Sequence, residues 1–181
     1  MKKVILLLSA GFEELEAVSV IDILRRANIG VEVVGLTDIH LTGSRGITIT
    51  CDDVFDYYSS LEYDGIVMVG GMENATNLSQ DERVLKLLGE YMSKDKMVAG
   101  ICATPALVFS EAGILSGKVA TCYPSDSLVS QLDCEYLDKP CVVCQNLITS
   151  QSPDTALEFA LTIVQYLGCD AGVVYSELQG K

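Results

Sequence analysis

The sequence predicts an α/β fold, an open and mostly parallel sheet covered by helices on both faces. Two observations predict it. Apolar runs without alternation recur at Val4 to Leu8, Gly65 to Val69 and Met97 to Ile101, as strands buried on both faces require. Between them lie stretches with a helical apolar period, and strands alternating with helices are the signature of the parallel α/β class.

Taken in order, Val4 to Leu8 is the first strand, broken by Ser9-Ala10-Gly11. From Glu13 to Asn28 an apolar stripe on Leu15, Val18, Ile21 and Leu24 is backed by charges, which predicts a helix ended by Asn28 and Gly30. Val31 to Leu36 is the next strand. Thr42 to Thr50, with turn formers Gly43 and Gly46 followed by the alternating Ile47-Thr-Ile-Thr, reads as a hairpin or edge region. Gly65 to Val69 is a strand stopped by Gly70-Gly71, Asp81 to Ser93 a helix, Met97 to Ile101 a strand, and Pro105 to Ala112 a helix closed by Gly113. Lys118 to Cys122 and Cys141 to Ser150 supply later strands. Pro153 to Leu167 is a final amphipathic helix, with Pro153 suited to its first turn and Gly168 to its stop. Tyr175 to Lys181 reads as a frayed tail. No repeat, linker or low-complexity segment appears, so residues 1–181 are expected to form one domain.

Composition narrows the function. Twelve basic against 25 acidic residues give a net charge of −13, which is poorly suited to phosphate backbones. Nucleic acid is not expected as a partner, and solubility is the simplest account of the charge. Seven cysteines, an odd number without the density of a small secreted scaffold, point to a reducing cytoplasmic compartment. The basic start at Lys2-Lys3 precedes an apolar run too short for a signal peptide, with Glu13, Glu14 and Glu16 close behind; no membrane-spanning run is seen.

Parallel sheets place ligand sites at the carboxyl ends of strands, near a switch in strand order. Three segments therefore matter: Ser9 to Glu16, Gly70 to Asn74, and Ile101 to Thr104. In Gly100-Ile101-Cys102-Ala103-Thr104-Pro105, the strand ends at Ile101, Thr104 suits an N-cap and Pro105 a first helical position. Cys102 then faces a helix start, where free N–H groups favour an anion and should lower a thiol's pKa. The small Gly100 and Ala103 leave room for a nucleophile elbow with sulfur in place of oxygen. The alternative is a free cysteine packed as a small hydrophobe. Cys141-Val-Val-Cys144 lies in a β-like run, where residues three apart point to opposite faces; with no second pair and no nearby histidine, core packing is expected and zinc is not.

These residues, with Gly11-Phe-Glu-Glu-Leu-Glu16, Ser44-Arg45, Val69-Gly70-Gly71 and Leu147-Ile-Thr-Ser150 before a final helix, run in the order of a known family across nearly the whole chain. The chain resembles the DJ-1 branch of the ThiJ/PfpI superfamily. The resemblance implies a flavodoxin-like three-layer sandwich, a homodimer, no cofactor and no metal, with Cys102 as the site cysteine and Glu16 as its glutamate. Gly70, Gly71 and Ala103 would then offer backbone N–H groups to an oxyanion or to oxidised sulfur, with Arg45 beside them. A buried Glu16 near a thiolate has two reasons to hold its proton, desolvation and like charge. Protonated, it can donate to sulfur. Glu13 and Glu14 are better read as complementing a helix dipole.

Two departures from the family pattern stand out. Thr121-Cys122-Tyr123-Pro124 carries Tyr123 where many relatives have a histidine, and Gln151 stands where many have an arginine. A Cys–His pair of protease type is therefore not expected, the only histidine being His40 in a different region. Cys122 could approach Cys102 as a resolving thiol, or be core. Three functions follow in order. The first is a cytosolic stress-response protein whose Cys102 is oxidised by peroxide to sulfenic and sulfinic acid. The second is a cofactor-independent glyoxalase or deglycase acting on a small aldehyde such as methylglyoxal, or on glycated amines, through Cys102 and Glu16. The third is a chaperone-like interaction module in which Cys102 plays no part.

Overall fold

The buried run at the start of the chain becomes β1 (Lys3–Leu8), near the centre of a seven-stranded sheet. The computed structural model describes residues 1–57 and 59–181. After β1 come α1 (Glu14–Arg26), β2 (Gly30–Gly35), the hairpin β3 (His40–Thr42) and β4 (Thr48–Thr50), and the short edge strand β5 (Asp53–Val54). The chain then returns through β6 (Gly65–Met68), α2 (Met72–Ser79), α3 (Glu82–Ser93) and β7 (Met97–Ile101). Its last third holds β8 (Val119–Ala120), α4 (Asp126–Val129), β9 (Glu135–Tyr136), β10 (Cys141–Cys144), β11 (Leu147–Ser150), α5 (Ala156–Tyr166) and α6 (Ala171–Leu178).

Strand order is β10-β11-β7-β6-β1-β2-β5. Every pairing is parallel except the β10–β11 hairpin at one edge. This is the flavodoxin-like sandwich expected, and its two cores follow from strand alternation. Val4, Leu6, Leu8, Val67 and Val69 point into the layer shared with α1 and α5, where Phe159 is fully buried. Ile5, Leu7, Ile66 and Met68 point to the other side, against Leu87, Leu88 and Tyr91 of α3. The chain leaves β1 toward β2 on one side and later returns to β6 on the other. The switch in strand order therefore lies between β1 and β6, and the crevice there opens at their carboxyl ends.

Five details differ from the sequence reading. In α1 the buried apolar face is Ala17, Val20, Ile23 and Leu24, while Leu15 and Val18 of the expected stripe face outward. Met72–Ser79 is helical, not merely a turn, because its buried side is built from Asn74, Ala75 and Leu78 and not from a long apolar stripe. Val119–Ala120 pairs with Glu135–Tyr136 in a separate two-stranded ladder instead of joining the main sheet. The expected frayed tail is largely α6, started by the Asp170 side chain accepting from the N–H groups of Gly172 and Val173 and tied back by Arg26–Glu177 at 3.0 Å. Cys141 and Cys144 sit half-buried on the edge strand β10, not fully in the core. His40 lies exposed on β3, as expected, its Nδ1 3.2 Å from the Thr50 hydroxyl. No helix among the described residues is long and apolar enough to cross a membrane.

Candidate active site at Cys102

Three crossovers meet at the switch point. β1 leads to Glu16, in the first turn of α1; β6 leads to Gly70 and Gly71; β7 leads to Cys102. Cys102 adopts φ +65°, the left-handed region that few non-glycine residues enter. The sharp turn is held from both sides. The Cys102 N–H donates to the Ser150 carbonyl at 3.0 Å, and the Cys102 carbonyl accepts from the Tyr123 N–H at 2.9 Å.

The helix behind the elbow is unusual. Pro105–Phe109 is a π-helical turn, closed by the Ser110 N–H donating to the Pro105 carbonyl. Such turns recur at functional sites because they widen a helix to suit packing. Here the packing is visible: a Cβ on Gly100 would lie 2.5 Å from the Phe109 ring. Thr104 does not cap this helix with its side chain. It is itself helical, and its hydroxyl donates to the Val69 carbonyl at 2.7 Å, tying the elbow to the end of β6. Asn74, fully buried, completes the clamp. Its Oδ1 accepts from the Ser9 N–H at 2.6 Å, and its Nδ2 donates to the Val69 carbonyl at 2.7 Å.

Gly70 is where the site closes. Its N–H donates to Glu16 Oε2 at 2.6 Å, so that amide is occupied and not free for a bound oxyanion, contrary to the expectation for Gly70. A Cβ on Gly70 would meet Cys102 Cβ at 2.5 Å, Cys102 Sγ at 2.9 Å and Glu16 Oε2 at 2.9 Å. Only glycine lets the thiol and the carboxyl come together. Gly71, at φ +89°, would drive a Cβ to 2.1 Å from the Gly11 carbonyl. The amides that do face sulfur are those of Ala103 and Gly71.

Glu16 is fully buried. Burial pushes its carboxyl up to about 8, helped by the nearby Glu13 and opposed by the Gly70 N–H and by Cys102. Burial also pushes the Cys102 thiol up, and the Glu16 carboxylate adds to the push, while the Ala103 and Gly71 N–H groups pull it down. A thiol lowered by a helix start alone is therefore not what the fold builds. Instead two buried acids compete for a proton. Near neutral pH Glu16 keeps its proton and is uncharged, so its repulsion of a thiolate disappears and its O–H can donate to sulfur. Glu16 Oε1 is buried without a hydrogen-bond partner.

Glu13 and Glu14 have separate structural tasks. Glu13 is the N-cap of α1, accepting from the Glu16 N–H at 2.8 Å. Glu14, buried, accepts from the Arg45 N–H at 2.6 Å, the Ile47 N–H at 3.3 Å and the Ser44 hydroxyl at 3.2 Å. It fastens the turn between β3 and β4 to α1, a role the sequence reading missed because all of its partners but one are backbone groups. Despite the penalty of burial, these hydrogen bonds lower the Glu14 carboxyl.

A cavity of about 640 Å³ opens onto Cys102 and Ala103, walled by Arg45, Gly71, Met72 and Tyr123 among others. Tyr123 is 42 % exposed and so stands at the mouth. Gln151 turns away, its Nε2 donating to Asp138 at 2.9 Å and to the Tyr136 hydroxyl at 3.2 Å. Cys122 is fully buried in the core on the α3 side of the sheet, whereas Cys102 packs against the core on the α1 side. Its Sγ contacts the Tyr123 carbonyl at 3.4 Å, and burial, with Cys134 nearby, pushes its thiol up to about 12. Cys122 is thus a packing residue in this structure. Among the described residues no three His, Cys, Asp or Glu side chains are placed to hold a metal ion.

The two carboxyls predict opposite pH behaviour. Glu16, raised in the fold, keeps a proton that the unfolded chain has lost, so its cost to stability grows between pH 4.5 and about 8. Glu16→Gln should stabilise the fold by ~1–3 kcal/mol at pH 8, after the cost of an unpaired amide proton, with the gain vanishing toward pH 4.5. Glu14, lowered in the fold, contributes stability above its unfolded value that is lost as pH falls through its folded value. Glu14→Gln should lower Tm at pH 7 and matter less in acid. Urea melts across pH 2.5–8 check both, and a Glu16→Gln variant less stable at pH 8 would contradict the first.

Comparison with known proteins places the chain in a family. Residues 2–166 match the model of the DJ-1/PfpI family. The chain is 38% identical over 170 residues to Protein DJ-1 homolog B of Arabidopsis thaliana, covering 92% of this chain and 38% of that protein. It therefore spans well under half of that plant relative. It is 36% identical over 168 residues to Protein dj-1beta of Drosophila melanogaster, covering 92% of this chain and 89% of that one. A solved structure of oxidised DJ-1 from Toxoplasma gondii superposes with a TM-score of 0.91 at 31% identity, covering 99% of this chain and 98% of that chain. With the elbow, the buried glutamate and the sheet order already matching one another, the chain belongs to the DJ-1/PfpI family.

Proposed function

We propose that this is a cytosolic stress-response protein whose working group is the Cys102 thiol, oxidised by peroxide and held in its oxidised form by Glu16. One observation carries the reading. The Glu16 carboxyl adjoins a sulfur that also faces the Gly71 and Ala103 amides, and its Oε1 is fully buried without a hydrogen-bond partner. A buried polar atom left unpaired is costly, and an oxygen added to sulfur would give Glu16 a partner. The chemistry balances simply: the thiolate attacks one peroxide oxygen, an S–O bond forms, the O–O bond breaks, and the departing hydroxide takes a proton to leave as water. A second peroxide carries sulfenic to sulfinic acid. That one solved relative is an oxidised form is in keeping with this.

A second reading is favoured by the cavity, whose volume of about 640 Å³ admits a ligand at Cys102. Cys102 would add to the aldehyde carbon of methylglyoxal, Glu16 would move a proton from that carbon to its neighbour, and water would release lactate. A carboxyl near 8 is well placed both to give and to take a proton. Tyr123, a poor base, stands where relatives offer a histidine, so the rate should be modest.

The surface supports a homodimer. Leu15 (56 %), Val18 (50 %) and Ile47 (55 %) are exposed, and the bond from Ile47 to Glu14 brings the hairpin turn beside the start of α1. Clustered exposed apolar side chains of this kind mark an interface.

Peroxide titration followed by peptide mass mapping should show Cys102 gaining two oxygens before any of the other six cysteines gains one. Equal oxidation of all seven would remove the first reading. With methylglyoxal, lactate should form above the Cys102→Ser background, and Tyr123→His should raise that rate about tenfold or more; no lactate above background would dismiss the second. The double variant Leu15→Glu, Val18→Glu should sediment as a folded monomer where the parent sediments as a dimer, and an unchanged mass would place the interface elsewhere.

A further inference from the structure

Of the acidic groups around Cys102, one has no structural task. Glu13 caps α1, Glu14 holds the hairpin turn and Glu16 is fully buried. Glu73, in the first turn of α2, makes no hydrogen bond or ion pair among the described residues, and it lines the cavity together with Glu13 and Arg45. Its position is defined: a Cβ on Gly11 would meet Glu73 Cβ at 2.5 Å and Glu73 Oε2 at 2.6 Å. The bare backbone of Gly11 is what lets the Glu73 side chain lie back over the loop at the cavity wall. The walls therefore carry two carboxylates against one guanidinium, in a chain of net charge −13. Cys102 and Ala103 open onto this same cavity, so whatever reaches the thiol passes these walls.

We infer that Glu73 makes the cavity selective by charge, admitting neutral and cationic electrophiles to Cys102 and turning away anionic ones. The inference rests on the reading of Cys102 as the reacting group. A low-dielectric concave wall focuses the field of such a group on whatever enters. Removing Glu73 leaves Glu13 balanced by Arg45, so discrimination falls; replacing it with a cation reverses the sign. Peroxide and methylglyoxal, both neutral, pass in either case. Carbonyl compounds bearing a carboxylate are the class excluded.

Two methanethiosulfonates of similar size and opposite charge read this directly, the trimethylammonioethyl cation and the sulfonatoethyl anion. In each, the Cys102 thiolate attacks the sulfenyl sulfur, a disulfide forms, and methanesulfinate leaves. Thiolate fraction cancels in the ratio of the two rates, which reports charge alone. Measured on the Cys102 peptide of the full chain, the cation should react faster. Glu73→Gln should lower the cation-to-anion ratio roughly fivefold and Glu73→Lys roughly twentyfold, both effects collapsing in ~1 M salt. Ratios within about twofold of the parent in both variants, or an equal shift from Glu82→Gln on distant α3, would overturn the inference. The underlying reading fails separately, if the neutral methyl methanethiosulfonate labels Cys102 no faster than the other six cysteines.

Discussion

The hydrogen bond from the Gly70 N–H to Glu16 joins the ends of three strands, and the site exists because of it. β1, β6 and β7 each finish in a turn, and each turn contributes one member: a carboxyl, an amide without a side chain, and a thiol. None of the three fits without the other two. A methyl at Gly70 would overlap the thiol and crowd the carboxyl. Removing the carboxyl would orphan a buried N–H, a loss of ~1–3 kcal/mol. Proton placement in the site follows from the same contact. One donor is too little to hold a buried carboxylate ionised near neutrality, so Glu16 stays protonated where an exposed glutamate would not.

Neighbouring acids on α1 show how local this control is. Glu14 and Glu16 are both buried, yet the first is lowered and the second raised. The difference is depth and the number of backbone donors: Glu16 lies deeper, where burial dominates. Glu14 receives two backbone N–H groups and a hydroxyl; Glu16 receives one N–H. One acid therefore behaves as a fastening and the other as a proton reservoir. Around them the buried polar groups Asn74 and Thr104 converge on the Val69 carbonyl. They hold the turn after β6 still, so that the amide of Gly71 keeps facing sulfur.

What could be read from the sequence was what depends on period and punctuation. β1, β6 and β7 are uninterrupted apolar runs, α3 begins where Asp81 can cap it, and α5 has a strong stripe. Cys102, Glu16 and Tyr123 were legible through position and resemblance. The parts that were hidden depend on contacts distant in sequence. α2 hides because it buries an asparagine; α6 hides because Val173 and Tyr175 face outward, so its apolar residues carry no core-facing pattern. Thr104 looks like a cap and instead ties two strands together. Cys122 follows the same sequence logic, and the structure buries it fully in the core. Glu73 gave no signal, since its position follows from the missing side chain of Gly11.

The left-handed backbone at Cys102 has a consequence for how this chain can vary. A residue with a Cβ pays ~1–2 kcal/mol to stand there, and glycine would not. On backbone strain alone the position favours glycine over cysteine, and a search for thermal robustness presses in that direction. Any stabilised descendant of this chain should therefore be checked at residue 102 before its melting point is admired.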